Sequence, residues 1–359
     1  MLNKEAILKK CIDFHCHGIG DFDFTDIKNI DLNEIQSILE QKNHNAILTL
    51  YLLSQHFSDF LKLMDIFAQD KQQQKFTHIM GFALEGPLLS SHGGTPKDGV
   101  WQPTKQQWQA LAACGKKGLI YMVLSPDVVW NNTNNKDYPG DIAWVAQVLL
   151  EGGVLPAPGH FKKDNPIESA KLLQRVFDVV AAWGHGPTIT DHLFNDMPLN
   201  FKHAWRSSKD KLHRRIEIAD LKLNTWDLHS IEEKMGIVPA TIIKNAHKGY
   251  AKICLNFDGE HVDLTLVKKA VELIGVQNMI MMTDSVESKR LAGQSLHTRH
   301  GSTLLYQHEG IVAAGSQSVE QQIQNMLSIG LDIAQIEQIT YLVPSTVLKK
   351  RSEYLRYMQ

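Results

Sequence analysis

The sequence predicts an α/β chain folded as a TIM-type (β/α)8 barrel. Eight short apolar or β-branched runs occur along the chain, and helix-period segments separate most of them. Alternation of that kind implies a parallel sheet, and eight such units in one chain imply a closed barrel rather than an open sheet. The 359 residues, 43% hydrophobic and 21% charged, suffice for one large core and read as a single unit spanning 1–359.

In order, the predicted strands are Cys11–His17, Ala46–Leu52, His78–Gly86, Gly118–Ser125, Val154–His160, Thr188–Asn195, Ala251–Asp258 and Asn278–Ser285. Helix-period segments fall at Leu32–Gln41, Lys105–Gly115, Ile167–Trp183 and Leu264–Gly275. The segments "VEQQIQNMLSIG" and "DIAQIEQITYLV" predict a helical C-terminal tail after the eighth strand. One composition shift, rich in Lys, Arg and His, marks a basic insertion at about 199–232, whose default reading is a solvated face.

Charge and composition narrow the partners. A formal net charge of -2, from 37 basic and 39 acidic residues, lacks the basic excess of a nucleic-acid binder. No apolar run approaches the roughly 20 residues a membrane helix needs. The charged start "MLNKEAILKK" has no apolar signal core. Cys11, Cys16, Cys114 and Cys254 show no CxxC spacing. The expectation is a cytoplasmic protein that acts on a small molecule, with neither nucleic acid nor membrane as partner.

In such a barrel the C-terminal strand ends form the active site, and the unusual polar residues lie there. Strand one ends in His15 and His17; residues i and i+2 share a strand face about 6.6 Å apart, so both imidazoles can turn toward one ion. Glu85 closes strand three in "FALEGP", His160 closes strand five in "APGH", His192 lies in "TDHLFN" on strand six, and Asp284 closes strand eight in "MMTDS". Imidazole nitrogen and carboxylate oxygen are donors for zinc and related divalent ions. A buried charge needs compensation, which a bound cation provides. Taken singly, each has an ordinary reading: a hydrogen-bonded core histidine for His160, a cap or buried ion pair for Glu85, a loop cap for Asp284. Five strand ends carrying such groups together are harder to explain that way. His261, in "DGEHVD", faces the same mouth or sits on a surface loop; Asn195 contacts a substrate or shapes a turn. The segment "AAGSQS" is an active-site loop or a plain turn, and "SSHGG" beside Glu85 is a lid or a simple connection.

These motifs resemble the amidohydrolase superfamily and, more narrowly, the N-acetylglucosamine-6-phosphate deacetylases. "IDFHCHGIGDFDFTD", "GFALEGPLL", "GH" at Gly159–His160, "HLFNDMP", "DGEHVD", "TDS" and "AGS" occur in the family's order and span most of the predicted barrel. The resemblance implies that Glu85, His160 and His192 hold a principal ion and that His15 and His17 hold a second, with Glu85 shared. It implies one or two divalent ions; for His and carboxylate donors zinc is the default, with iron, manganese or cobalt also fitting. It places Asp284 as general acid/base and Asn195, Asp196 and His261 toward the substrate. Because family members form dimers, it also implies a homodimer.

Four departures qualify the resemblance. The family's small β-sandwich is expected to be lacking. The histidine of its Gly-x-His loop is replaced by the Gly94-Thr95-Pro96 segment, with His92 out of register. Its phosphate-binding Arg-Glu-Pro-Gly becomes Glu233-Lys234-Met235-Gly236, and the chain from Pro198 to Glu233 is longer. The expected activity is therefore metal-dependent hydrolysis of an N-acyl bond, in an amino sugar or amino sugar phosphate. Lys202, Arg206, Lys209, Lys211, Arg214 and Arg215 are candidates to replace the missing arginine. The alternatives are a deacylase of another N-acyl substrate, such as an amino acid or nucleotide-linked sugar, and a metal-stabilised barrel that binds without catalysis.

Overall fold

The computed structural model describes residues 4–130 and 140–358. A strand lies in each of the eight predicted places: β1 (Ile12–Ile19), β2 (Asn45–Leu50), β3 (Ile79–Glu85), β4 (Leu119–Leu124), β5 (Leu155–Pro158), β6 (Thr188–Ile189), β7 (Ala251–Leu255) and β8 (Met279–Met281). The ladders β1-β2, β2-β3, β3-β4 and β4-β5 are parallel, as are β6-β7 and β7-β8. Among the described residues these eight strands fall in two sheets rather than one continuous ring. Backbone hydrogen bonds bridge both seams: Asp191 N donates to Pro158 O at 3.1 Å, and Asp284 N to His15 O at 2.9 Å.

The strands read as unbroken apolar runs because both faces are covered. One buried cluster takes residues from all eight strands, among them Phe14, Ile47, Ala83, Tyr121, Ala157, Ile189, Cys254 and Ile280. The opposite faces, with Leu48, Phe82 and Met122, pack against the helices α1 (Leu32–Lys42), α2 (Phe57–Gln72), α3 (Lys105–Ala113) and α4 (Ile142–Glu151). Helix ends follow local chemistry. The Asp31 carboxylate accepts from Asn33 N and Glu34 N to start α1, and Thr104 with Gln107 forms a capping box on α3. Asn165 caps α5 (Pro166–Trp183), which has Pro166 in its first turn and stops at Gly184 in the left-handed region, φ 72°.

The structure shortens most of the predicted strands, and three of the breaks fall beside candidate site residues. β5 stops at Pro158 and His160 follows at φ 52°. The β6 ladder stops at Ile189, with Phe194 at φ 72° and Asp196 at φ 43°; β8 stops at Met281 and Asp284 follows at φ 49°. L-residues with positive φ are uncommon and gather where surroundings hold them against their preference. The chain after Asp284 resumes as β9 (Ser285–Val286), parallel to β1. It then forms antiparallel strands the sequence reading did not foresee: β10 (His297–Thr298), β11 (Leu304–Tyr306) and β12 (Val312–Gly315). The segment "AAGSQS" therefore begins as strand, and Ser318 caps the following helix. The basic insertion carries α6 (Ser208–Asp220), which has no buried residue.

Candidate metal centre and substrate cavity

A register slip aims the two histidines of β1. Phe14 belongs to the inner cluster and Cys16 to the outer one, although even spacing would put them on one face. The ladder with β2 pairs Asp13 with Ala46 but Cys16 with Leu48, so β1 carries one extra residue there. That irregularity reverses the alternation, as a β-bulge does, and His15 and His17 then point inward with Phe14. Thr283, preceding Asp284, locks the arrangement: its N and Oγ1 donate to the Asp13 carboxylate at 3.0 and 2.6 Å.

The six donors expected from strand ends meet in two groups that share Glu85: His15, His17, Glu85 and Asp284, and Glu85, His160 and His192. In the first, Glu85 Oε2 lies 3.0 Å from His15 Nε2 and 3.2 Å from His17 Nε2. The two ring nitrogens are 3.2 Å apart, and Asp284 Oδ1 is 3.2 Å from His17 Nε2. In the second, Glu85 Oε1 lies 3.0 Å from His160 Nε2. A tetrahedral ion with bonds of about 2.0–2.1 Å separates its ligand atoms by roughly 3.3 Å, close to these spacings. His160 Nε2, despite its proximity to Glu85, makes no aligned hydrogen bond and is fully buried. Acceptors this close, with a buried ring nitrogen left over, fit a divalent cation.

The surrounding side chains orient the donors from their far sides, as ligand-supporting groups do. Tyr121 Oη lies 2.9 Å from His15 Nδ1 and donates to Phe14 O at 2.8 Å. Tyr51 stacks on His17, ring centroids 4.7 Å apart. Thr95 Oγ1 donates to Glu85 Oε1 at 3.1 Å. His160 Nδ1 lies 2.9 Å from Ser91 O and 3.1 Å from Asp196 Oδ2. His261 Nδ1 is 2.5 Å from Asp258 Oδ2, and its Nε2 is 3.4 Å from Asp284 Oδ2.

Electrostatics follow from crowding opposite charges in a dry place. Burial disfavours the charged form of His17, yet the Asp284 and Glu85 carboxylates outweigh it and raise its pKa to about 10. Burial also works against ionised Glu85, but His15, His160 and His17 hold its carboxyl well below the usual range. Asp284 behaves alike, burial opposed chiefly by His17 and His261. With no ion bound, protonated imidazole is thus the counter-charge of these buried carboxylates.

The groups open onto a cavity of about 440 Å³. Glu85, His160, His192 and Asp284 line its floor with Asn195, Asp196 and His261. Gly93 and Gly94 of the "SSHGG" loop line it too. A Cβ on Gly93 would stand 2.9 Å from His160 Cε1, so only glycine lets the loop pass so close. Asn195 Nδ2 donates to Asn256 Oδ1 at 3.3 Å while its Oδ1 has no partner. His92 is not among the lining residues; its Nδ1 lies 3.2 Å from Thr95 O. Lys163, Arg206 and Arg299 also line the cavity, as does Asp210, and Lys163 pairs with Asp196 at 3.3 Å. Of the six basic candidates in the insertion, Arg206 alone lines this cavity. Lys202, Lys211 and Arg214 instead pair with Asp210, Glu260 and Asp263. Glu233 is exposed and pairs with Lys234. Arg299 arrives on the unforeseen β10–β11 hairpin, its guanidinium stacked 4.0 Å above the Tyr306 ring.

Asp191, Tyr121, Tyr51, Thr95 and Asp258 escaped the sequence reading. Asp191 carried a visible signal in its position next to His192, as Asp258 did in opening "DGEHVD", but regular strand alternation argued against Asp191 because neighbours face opposite ways.

No family model matches the sequence, and the search of curated proteins finds no match. Solved structures do share the fold. The N-acetylglucosamine-6-phosphate deacetylase of Pasteurella multocida superposes with a TM-score of 0.67 at 14% identity, covering 96% of this chain and 77% of that one. A variant of the Mycobacterium smegmatis deacetylase, in complex with N-acetyl-D-glucosamine-6-phosphate, gives 0.67 at 14% identity over 95% and 77%. The Thermotoga maritima deacetylase gives 0.66 at 13% over 95% and 78%. The chain thus shares the α/β fold of these structures, with a mostly parallel central sheet, and the likeness is one of fold.

Proposed function

We propose that this chain is a metal-dependent amidohydrolase that removes an N-acyl group, most simply N-acetyl, from an anionic amino-sugar derivative. The observation that carries the reading is Glu85, whose two carboxylate oxygens each face a different imidazole group on the floor of one cavity, with Asp284 beside them. In the same reading the eight strands close as one barrel, supported by the bridged seams and the cluster common to all eight strands.

His15, His17, Glu85 and Asp284 would hold one divalent ion, and Glu85, His160 and His192 another. The chemistry such an ion supplies is Lewis-acid polarisation of a carbonyl and acidification of water toward a pKa of about 7. Asp284 takes the proton of the attacking water and passes it to the amide nitrogen. The C–N bond then breaks to give a carboxylate and an amine; an unprotonated amine leaves poorly. His261, held by Asp258 on one ring nitrogen and 3.4 Å from Asp284 on the other, steadies the Asp284 carboxylate. Arg206, whose Nε and Nη2 donate to Glu260 O and His261 O at 3.2 Å, stands with Lys163 and Arg299 where a substrate anion would lie.

The test is metal analysis of the purified chain, followed by amine release from N-acetyl amino sugars with and without phosphate. Asp284→Asn should keep the ion at Glu85, His160 and His192 and lose at least about 100-fold in turnover. Normal turnover in that variant removes the mechanism. A chain that holds metal yet releases no amine from any acyl-amide is a binding protein.

A further inference from the structure

The second donor group has one ligand fewer than the first. Glu85, His160 and His192 supply three donors, whereas the first group has two imidazoles and two carboxylates. Asp191 stands beside the second group. Its side chain is wholly buried and neither carboxylate oxygen has a hydrogen-bond partner. An ionised carboxylate in that state is costly without a compensating charge. Asp191 Oδ2 lies 3.3 Å from His160 Nε2 and 3.3 Å from His192 Nε2, about one ligand–ligand edge of a tetrahedral ion from each.

The side on which it sits separates two roles. A carboxylate that merely supports a ligating histidine bonds the ring nitrogen facing away from the ion. On His160 that position is taken by Ser91 O and Asp196. Asp191 instead approaches Nε2, the nitrogen facing Glu85. The backbone makes room for it: a Cβ on Gly159 would stand 2.4 Å from Asp191 Cβ and 2.6 Å from Oδ2.

We infer that Asp191 is a fourth ligand of the ion held by Glu85, His160 and His192, so that each of two ions has two imidazoles and two carboxylates with Glu85 common to both. This rests on the metal-dependent reading above. The experiment strips the full chain with chelator and titrates it with Zn²⁺ against a competing chelator. A parallel Co²⁺ titration follows the d–d absorption of the bound ion. Asp191→Asn should weaken one ion by at least about 100-fold, the same ion lost in His192→Ala, leaving the ion sensitive to His17→Ala in place. Its Co²⁺ spectrum should change. Asp196→Asn, touching His160 from the far side, should leave that spectrum unaltered while losing roughly 10–100-fold in affinity. Should Asp191→Asn not fold, Asp191→Ser replaces it. Wild-type affinity and spectrum in the Asp191 variant overturn the inference. A wild-type chain that takes up no divalent ion overturns the underlying reading instead.

Discussion

Tyr121 shows how one side chain reaches the site without entering it. It lies on β4, fully buried, and its hydroxyl joins the Phe14 carbonyl to the far nitrogen of His15. Replacing it with Phe removes one oxygen and keeps the ring that stacks on Phe14. We expect Tyr121→Phe to fold normally and to bind the ion at His15 and His17 roughly 10–100-fold more weakly, as losses of supporting groups do. A chelator-competition titration checks this; unchanged affinity would mean that the ring orientation is set by packing alone.

The strands place their chemistry by breaking. His160, Asp196 and Asp284 sit at positive φ just past strand ends, and the slip in β1 turns two histidines inward. Gly18, after that slip, lies where β1, β9 and the turn to Phe22 crowd together. A Cβ there would meet Phe22 O at 2.4 Å and Val286 Cγ2 at 2.7 Å. Gly18→Ala should therefore lower stability by about 1–3 kcal/mol, read as an earlier thermal unfolding midpoint. Since Val286 is two residues from Asp284, metal affinity should fall with it. An unshifted midpoint would show that the turn opens freely.

For the whole molecule, pH dependence reaches beyond the site. His44, between α1 and β2, is buried, and burial lowers its pKa from 6.5 to about 4. Between those values the unfolded chain binds a proton that the folded chain does not. Its contribution is thus intact above pH 6.5 and is lost as pH falls toward 4, with a ceiling on the order of 3 kcal/mol. Denaturant unfolding of wild type and His44→Gln at pH 7.5 and pH 4.5 should show a shallower loss in the variant. Equal losses would place the acid sensitivity elsewhere. The rest of the framework is held by packing and by groups such as Arg351 of the last helix. Its buried guanidinium donates to the carbonyls of Gly153, Gly115 and Leu119.

Apolar runs with helix-period spacers announced eight strands because a parallel sheet covered on both faces must bury nearly every residue. The donors at the strand ends were legible for a related reason: His15, His17, Glu85, His160, His192 and Asp284 are polar exactions in otherwise apolar segments, conspicuous in one dimension. Asp191, Tyr121 and Arg299 were not. Asp191 turns toward the histidines only because β6 stops early. Tyr121 passed for core, and Arg299 rides on a hairpin of two- and three-residue strands whose pairing lies below any periodic signal. Residue type and local period are properties of the chain itself. Which donors share an ion, and which cation faces the substrate, depend on slips, left-handed kinks and long-range contacts, and those exist only once the strands have packed.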